Sequence, residues 1–237
     1  MSKSLLTSAL ELRSRAFKAI ICLLVVFVCL VPFSDQVFQI ISDPITRALP
    51  VGSSLISKKV AAPFMTPFRA VFWVALFVTM PLLLYHAWKL FDAWLPERAR
   101  HVALPFIVAS VILFYTGVAF AFFLVLPMIF KFFASVAPVG VKVMTDINAF
   151  VDFLIGMLLA FGLAFQMPIV IIVIVWTGLV SRRTLAGARP YVFLAAFVIG
   201  MLLTPPDVFS QTLLAVPMYA LFEGALFFCR RFLPEGQ

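Results

Sequence analysis

Charged residues are scarce in this sequence. Only 10 of its 237 residues are acidic and 18 are basic, whereas charged side chains make up about a quarter of an average globular domain. Hydrophobic residues account for 64% of the chain, and the mean hydropathy is +1.15. This composition excludes a soluble enzyme, a nucleic-acid-binding module and a disordered tail, and it predicts a protein whose solvent is the lipid bilayer.

Groups that could carry chemistry are also few. The three cysteines, Cys22, Cys29 and Cys229, form no CxxC pair and leave an odd number, so neither a disulfide framework nor a zinc site is expected. The two histidines, His86 and His101, have no further cluster of metal ligands beside them. The sequence has no glycine-rich phosphate loop and no recognisable Ser-His-Asp set. We therefore expect no enzymatic activity, no metal site and no cofactor.

Long apolar runs between the charges predict an all-α polytopic membrane protein. A helix needs about 20 apolar residues to cross a hydrocarbon core of roughly 30 Å, and six such runs can be drawn. The first has a basic approach like that of a signal peptide, but no A-x-A-like site follows it, so we interpret it as a retained helix. The chain is treated as one domain, 1–237, with predicted spans at about 16–33, 68–88, 102–130, 149–176, 190–206 and 208–226.

The last two predicted helices are short. The segments from Arg189 to Asp207 and from Asp207 to Glu223 correspond to about 27 Å and 24 Å of helix. Short neighbouring helices thin the lipid beside them or draw charged side chains towards the interface. We expect a locally thin bilayer at this face, with Glu223 reaching the aqueous interface.

The distribution of Lys and Arg predicts the orientation. Six spans place both termini on one side, and that side holds 12 of the 18 basic residues. Cytoplasmic segments carry the excess of Lys and Arg, so both termini are expected in the cytoplasm.

Polar residues within the predicted spans are few. Gln166, in LAFGLAFQMPIV, lies far from any charge, and an unsatisfied amide in hydrocarbon costs several kcal/mol. Its partner could be a neighbouring helix, the carbonyl freed by Pro168 or a functional ligand. Asp207 can cap the last helix, and Gln166, Asp207 and Gln211 are candidates for contacts with partner helices. Prolines within the spans, at 81, 127, 168 and 217, are expected to bend helices into concave surfaces.

Glu11 allows two interpretations. Ser8 and Glu11 fit the S-x-x-E capping box, which predicts a helix start. The carboxylate could instead accept a guanidinium at the approach to the first span, because carboxylates pair strongly with arginine. Spacing alone does not choose between them.

A solute or ion transporter is the alternative function, but it would need charges inside the membrane. A scaffold for other membrane subunits is a third possibility.

Several motifs resemble the TatC family of twin-arginine translocase subunits. The most specific is TPPDVFSQ, within the segment 189–223. Others are ELRSR at 11–15, APFMTPFR at 62–69, LFYTGVAFAFF at 113–123 and TDINAFVDF at 145–153. The similarity extends over about 6–228.

The resemblance implies a receptor in the bacterial inner membrane. Members of the family bind the Arg-Arg signal peptides of folded proteins, associate with the single-span subunits TatA and TatB and with themselves, and support transport driven by the protonmotive force. The family's peptide site uses a glutamate of the ELR motif, matched here by Glu11, and an acid in the first cytoplasmic loop. Arg13 and Arg15 match the same motif and are expected to position the site. No nucleic acid is expected as a partner, whereas membrane lipid is.

The sequence departs from the family pattern at four places. Ser8 and Ala9 replace a common His-Leu pair, and Phe122 replaces a common tyrosine. In the first cytoplasmic loop Ala99 stands at the aligned position of the acid, and Glu97 lies two residues earlier. Either a local shift makes Glu97 the second acid, or this half of the arginine site is missing. Gln166 stands where the family often has glutamate, which keeps an acceptor and removes a titratable group.

Overall fold

The computed structural model describes residues 2–46, 54–91, 103–136, 144–204 and 207–232. The helices are α1 (Ser2–Leu30), α2 (Ser34–Thr46), α3 (Ala62–Phe91), α4 (Ala103–Phe120), α5 (Leu126–Val136), α6 (Ile147–Ala164), α7 (Met167–Trp176), α8 (Arg182–Gly187), α9 (Arg189–Leu203) and α10 (Val208–Phe232). A 3-10 turn, Val31–Phe33, joins α1 to α2, and a π-helical segment, Ala121–Val125, joins α4 to α5. Two short strands are β1 (Ser54–Ile56) and β2 (Met144–Asp146).

In the described part of the chain, five helical stretches are long and apolar enough to cross a membrane. They are Arg13–Asp43, Ala62–Lys89, Leu104–Phe133, Ile147–Trp176 and Val208–Phe232, and the shorter apolar helix α9 follows the fourth of them. The prediction of an all-α polytopic membrane protein is therefore confirmed.

Of the two helices predicted to be short, α9 has 15 residues and α10 has 25. At 1.5 Å per residue these lengths are about 22 Å and 37 Å. The prediction of a short last helix is wrong, because its length was measured only to Glu223 and its span was drawn only to 226. That carboxylate is held by Arg189, and the apolar residues that follow continue the helix to Phe232.

Two of the predicted bends are interruptions of the helix. The π-helical segment comes directly before Pro127, and α6 ends at Ala164 just before Pro168, which lies in the first turn of α7. Proline lacks an N–H donor and clashes with the preceding turn, so it disturbs a helix at this position. Pro81 and Pro217 instead lie inside the continuous helices α3 and α10.

Helix α6 forms the centre of the core. Its residues Phe150, Leu154 and Phe161 are almost completely buried, in one cluster with Ile129 of α5 and Leu214 of α10 among others. Two glycines let α4 and α6 approach closely. A Cβ atom on Gly117 would lie 2.5 Å from the carbonyl oxygen of Phe161, and one on Gly162 would lie 2.6 Å from Cε2 of Phe114. Contacts of that length force the neighbouring atoms to shift, so both positions favour glycine.

The loops after α2 and α5 meet in a short parallel pairing that sequence analysis missed. Strands β1 and β2 pair in the register Ser54↔Met144 and Ile56↔Asp146. Asp146 then caps α6 by accepting a hydrogen bond of 2.8 Å from the backbone N–H of Asn148. This hydrogen bond holds the pKa of the Asp146 carboxyl below its ordinary value. The paired loops and the cap stabilise the end of the bundle at which α6 begins.

Candidate functional site

Helix α1 carries three of the candidate residues, Glu11, Arg13 and Arg15. Because α1 begins at Ser2, Ser8 lies inside the helix, and the capping-box interpretation of Ser8 and Glu11 is wrong. Arg13 is exposed and Arg15 is partly buried. The side chain of Glu11 and the whole of Glu97 lie outside the described residues.

The surface beside Arg15 is rich in positive charge. Helix α1 packs along α3, and Arg15, Lys18 and Lys89 lie within electrostatic range of His86 on α3. A second cationic group entering this region would be repelled unless carboxylates lie nearby. Any recognition of arginine at this end of α1 therefore depends on the acidic residues of the same side.

Glu223, on the same side of the bundle, is already engaged within the chain. Its Oε1 accepts a hydrogen bond of 2.7 Å from Nε of Arg189, and its Oε2 accepts one of 3.0 Å from Nη2. The hydroxyl of Tyr219 donates to Oε1 at 2.8 Å. We expected Glu223 simply to reach the interface, but it joins α10 to the start of α9. Sequence reasoning missed this pair, although opposite charges at the same end of two successive predicted helices were a signal for it.

An apolar groove of about 560 Å³ lies between α4, α7 and α10. Pro168 and Pro217, two of the prolines expected to create concave surfaces, both line it. Its other residues include Phe120, Phe165 and Phe228. The groove is open and nearly free of polar groups, so it can bind an apolar helix or chain but offers a polar solute almost no polar contacts.

Gln166 finds its partner on a neighbouring helix. Its Nε2 donates a hydrogen bond of 2.9 Å to the carbonyl oxygen of Ser110 on α4, which is one of the two structural options that the sequence left open. The Ser110 hydroxyl in turn accepts a hydrogen bond of 2.8 Å from Nε1 of Trp88 on α3. These contacts join α3, α4 and the α6–α7 junction next to the groove. The contribution of Ser110 could not be read from the sequence.

Asp207 caps α10, as predicted. Its Oδ2 accepts a hydrogen bond of 2.7 Å from the backbone N–H of Ser210. Its Oδ1 and the Ser210 hydroxyl are buried and have no hydrogen-bond partner among the described residues. Gln211 packs against α9 at Gly200, where an added Cβ would lie 3.5 Å from the Gln211 backbone. Asp207 and Gln211 thus share the start of α10, whereas the amide of Gln166 is bonded to α4.

The N-terminal ends of α3 and α6 are joined by polar contacts. Arg69 forms an ion pair with Asp152, and the Thr66 hydroxyl donates a hydrogen bond of 2.9 Å to Oδ1 of Asn148. These contacts hold the two helices together, and none of the four residues lines the apolar groove. Among the described residues no group of three or more His, Cys, Asp or Glu side chains could hold a metal ion.

Comparison with known proteins identifies the family. The family model for "Sec-independent protein translocase protein (TatC)" matches residues 9–217. The TatC protein of Escherichia coli K12 is 44% identical over 236 residues, which cover 100% of this chain and 92% of that protein. The TatC protein of Haemophilus influenzae Rd is 44% identical and covers 99% of this chain and 91% of its own length.

A solved structure shares the fold. The crystal structure of the twin-arginine translocase receptor TatC superimposes with a TM-score of 0.84 at 30% identity, covering 94% of this chain and 98% of that one. The chain therefore belongs to the TatC family of Sec-independent protein translocase proteins.

Proposed function

We propose that this chain is the multi-spanning core subunit of a twin-arginine translocase and that it binds the Arg-Arg signal peptides of folded proteins. Glu11 on α1 is the primary acceptor of the paired guanidinium groups, and Glu97 is the second acid. Arg13 and Arg15 position the site without touching the peptide's arginines. The observation that carries the proposal is the ELRSR segment on an unbroken helix, within a chain that matches the family over almost its whole length.

The distribution of acids on this side supports Glu11. The sequence places five carboxylates there, at 11, 92, 97, 223 and 235. Of these, the one whose side chain is described, Glu223, is bound by Arg189 and Tyr219. The basic groups around His86 raise the local positive potential further. A dicationic peptide therefore needs the other carboxylates of this side. Among them, Glu11 lies on α1, just before its membrane-spanning stretch.

The apolar groove supports binding of the rest of the signal peptide. A signal peptide joins its charged segment to an apolar segment of 7–15 residues. The groove offers apolar surface between α4, α7 and α10, and burying that segment there supplies affinity without demanding a particular sequence. Charge recognition at α1 and apolar contact in the groove together select a peptide with both features.

The proposed orientation places both termini in the cytoplasm of a bacterium, with the protein in the inner membrane. The described helices put Arg182, Arg183, Arg189, Arg230 and Arg231 at one end of the bundle, which is the end expected to face the cytoplasm. A cytoplasmic reporter fused after the last residue should be active, and a reporter that folds only in the periplasm should be inactive.

Single-span subunits similar to TatA and TatB are the proposed partners, together with further copies of this chain. The buried polar groups at Asp207 and Ser210, with Gln211 beside them, offer hydrogen bonds to a polar side chain on a partner helix. Such contacts in membranes are worth about 0.6 kcal/mol on average. Gln166 offers its amide oxygen for the same purpose, since its nitrogen is bonded to Ser110.

Photo-crosslinking of a twin-arginine signal peptide to the full chain in membranes tests the peptide site. Glu11→Gln keeps the size of the side chain and removes its charge, and we expect apparent affinity to fall about 10- to 100-fold, as for loss of one charge-assisted hydrogen bond. Glu97→Gln should show a similar loss. Asp92→Asn, in the same connecting segment, is the matched control and should bind normally.

Two further measurements complete the test. A peptide with Lys-Lys in place of Arg-Arg should bind the unaltered chain weakly, because lysine cannot pair bidentately with a carboxylate. Export of a twin-arginine reporter in a strain lacking its own TatC should follow the crosslinking order. Unchanged binding and export in the Glu11 variant would contradict the site, and normal binding in Glu97→Gln would exclude Glu97 as the second acid.

A further inference from the structure

A cleft rich in arginine lies at the end of the bundle where α8, α9 and α10 meet. Its volume is about 480 Å³. Four arginines line it, Arg182, Arg183, Arg189 and Arg230, with Glu223 as the one carboxylate of its lining. We refer to it as the arginine cleft, and its lining has a surplus of positive charge.

Two of the four arginines are held in place by the protein itself. Arg189 is bound by both oxygens of Glu223, and Nη1 of Arg182 donates a hydrogen bond of 3.2 Å to the carbonyl oxygen of Cys229. Arg183 and Arg230 are exposed, and neither forms an ion pair or hydrogen bond within the described residues. The cleft therefore has fixed cationic walls and two further guanidinium groups able to turn towards an anion.

The surroundings place the cleft at the level of lipid headgroups. The apolar helix α7 ends at Trp176, and Tyr191 in the first turn of α9 is 73% exposed. Tryptophan and tyrosine concentrate where the hydrocarbon meets water. Phe227, which lines the cleft, is 70% exposed. An anionic group bound by the arginines could thus continue into an apolar chain lying along Phe227.

We propose that the arginine cleft binds the phosphate of an anionic phospholipid, with an acyl chain of that lipid on the exposed face of α10. The guanidinium group matches phosphate oxygens bidentately, and basic pockets between membrane helices are suited to anionic headgroups. A zwitterionic lipid brings an ammonium group that the surplus arginines repel. Phosphates line both leaflets, so this site does not depend on the orientation proposed above, nor on recognition of signal peptides.

Neighbouring arginines on α10 supply a matched pair of variants. Arg230 lines the cleft, whereas Arg231 does not line it and lies near the ring of Phe232, with 5.9 Å between Cζ and the ring centroid. Both are exposed, so Arg230→Gln and Arg231→Gln make the same change in net charge on the same helix. Arg183→Gln, on α8, removes a second cleft arginine from a different element.

Native mass spectrometry of the full chain, released from detergent, measures the binding. Palmitoyl-oleoyl phosphatidylglycerol is titrated against the unaltered chain and each variant, with phosphatidylcholine of the same acyl chains and inorganic phosphate in parallel. We expect saturable retention of phosphatidylglycerol that weakens about fivefold in Arg230→Gln and in Arg183→Gln. That factor corresponds to about 1 kcal/mol per basic residue at an anionic surface. Arg231→Gln should bind like the unaltered chain.

Three outcomes would overturn the proposal. They are equal retention of phosphatidylcholine, equal weakening in Arg230→Gln and Arg231→Gln, and binding of inorganic phosphate as tight as that of phosphatidylglycerol. The last would mean that the cleft takes a free anion and that the acyl chain adds nothing. Circular dichroism of each variant in detergent verifies folding, and the Arg183 variant repeats the test from another helix.

Discussion

Replacing Gly117 with alanine should destabilise the protein by a magnitude that the contacts allow us to estimate. The new Cβ would lie 2.5 Å from the carbonyl oxygen of Phe161 and 2.8 Å from Cγ of Phe165. The first neighbour is backbone in the last turn of α6, so relief requires that α4 and α6 move apart. Overpacking of this kind costs about 1–3 kcal/mol, while alanine gains about 0.5–1 kcal/mol over glycine inside a helix.

The expected net effect is a loss of about 1–2 kcal/mol for Gly117→Ala, or about 2–8 °C in the thermal midpoint of a chain of this size. Gly162→Ala should lose less, because its closest contact at 2.6 Å is the rim of the Phe114 ring, which can rotate. Gly224→Ala is the matched control. It has no atom within 4 Å of the added Cβ, and it should be neutral or more stable by up to about 1 kcal/mol.

Thermal unfolding in a mild detergent, followed by circular dichroism at one scan rate for all three variants, provides the measurement. The order of midpoints should be Gly224→Ala highest, then Gly162→Ala, then Gly117→Ala. A Gly117 variant as stable as the Gly224 variant would refute the reasoning, since it would mean that α4 and α6 do not approach as closely as described.

Two further predictions concern Asp146, which caps α6, and Gln166, at the α6–α7 junction. The pKa of the Asp146 carboxyl is lowered in the folded state, so its ionised form contributes stability above the ordinary pKa of 3.8, and this stability is lost as pH falls through the lowered pKa. Asparagine also caps helices, so Asp146→Asn should change the thermal midpoint little at pH 7. At acidic pH the variant should show a flatter plot of thermal midpoint against pH. Gln166 donates to the Ser110 carbonyl, so Gln166→Glu should retain this contact only while its carboxyl is protonated. Its thermal midpoint should therefore fall relative to the unaltered chain as pH rises, and a constant difference between pH 5 and 8 would contradict the assigned hydrogen bond.

Several features could be predicted from particular residues. The charges that bound the apolar runs located the membrane helices, and Asp207 was recognised as a cap because it precedes an apolar helix. Gln166 was expected to need a partner because it is an amide inside a span. These predictions rest on local rules, namely hydrophobic length, capping chemistry and the penalty for unsatisfied polar groups.

Other features required the packed structure. The last predicted helix was measured only to Glu223, since a lipid environment disfavours a lone carboxylate. In the structure Tyr219, one turn away, and Arg189, which lies far from Glu223 in the sequence, both hydrogen-bond this carboxylate. Ser8 and Glu11 match a capping box in spacing, but α1 starts earlier. The pairing of β1 with β2 joins two loops whose sequences carry no strand pattern.

The sequence by itself determined that the chain is a membrane protein, that its long apolar runs form helices, and that α1 carries an acid beside its basic residues. Those properties depend on composition and short-range spacing, which are the same in any packing arrangement. Only the tertiary structure decided which carboxylate is already paired, where the groove opens and which arginines converge on one cleft. Each of these depends on side chains far apart in the sequence, whose distances are set by how the helices pack.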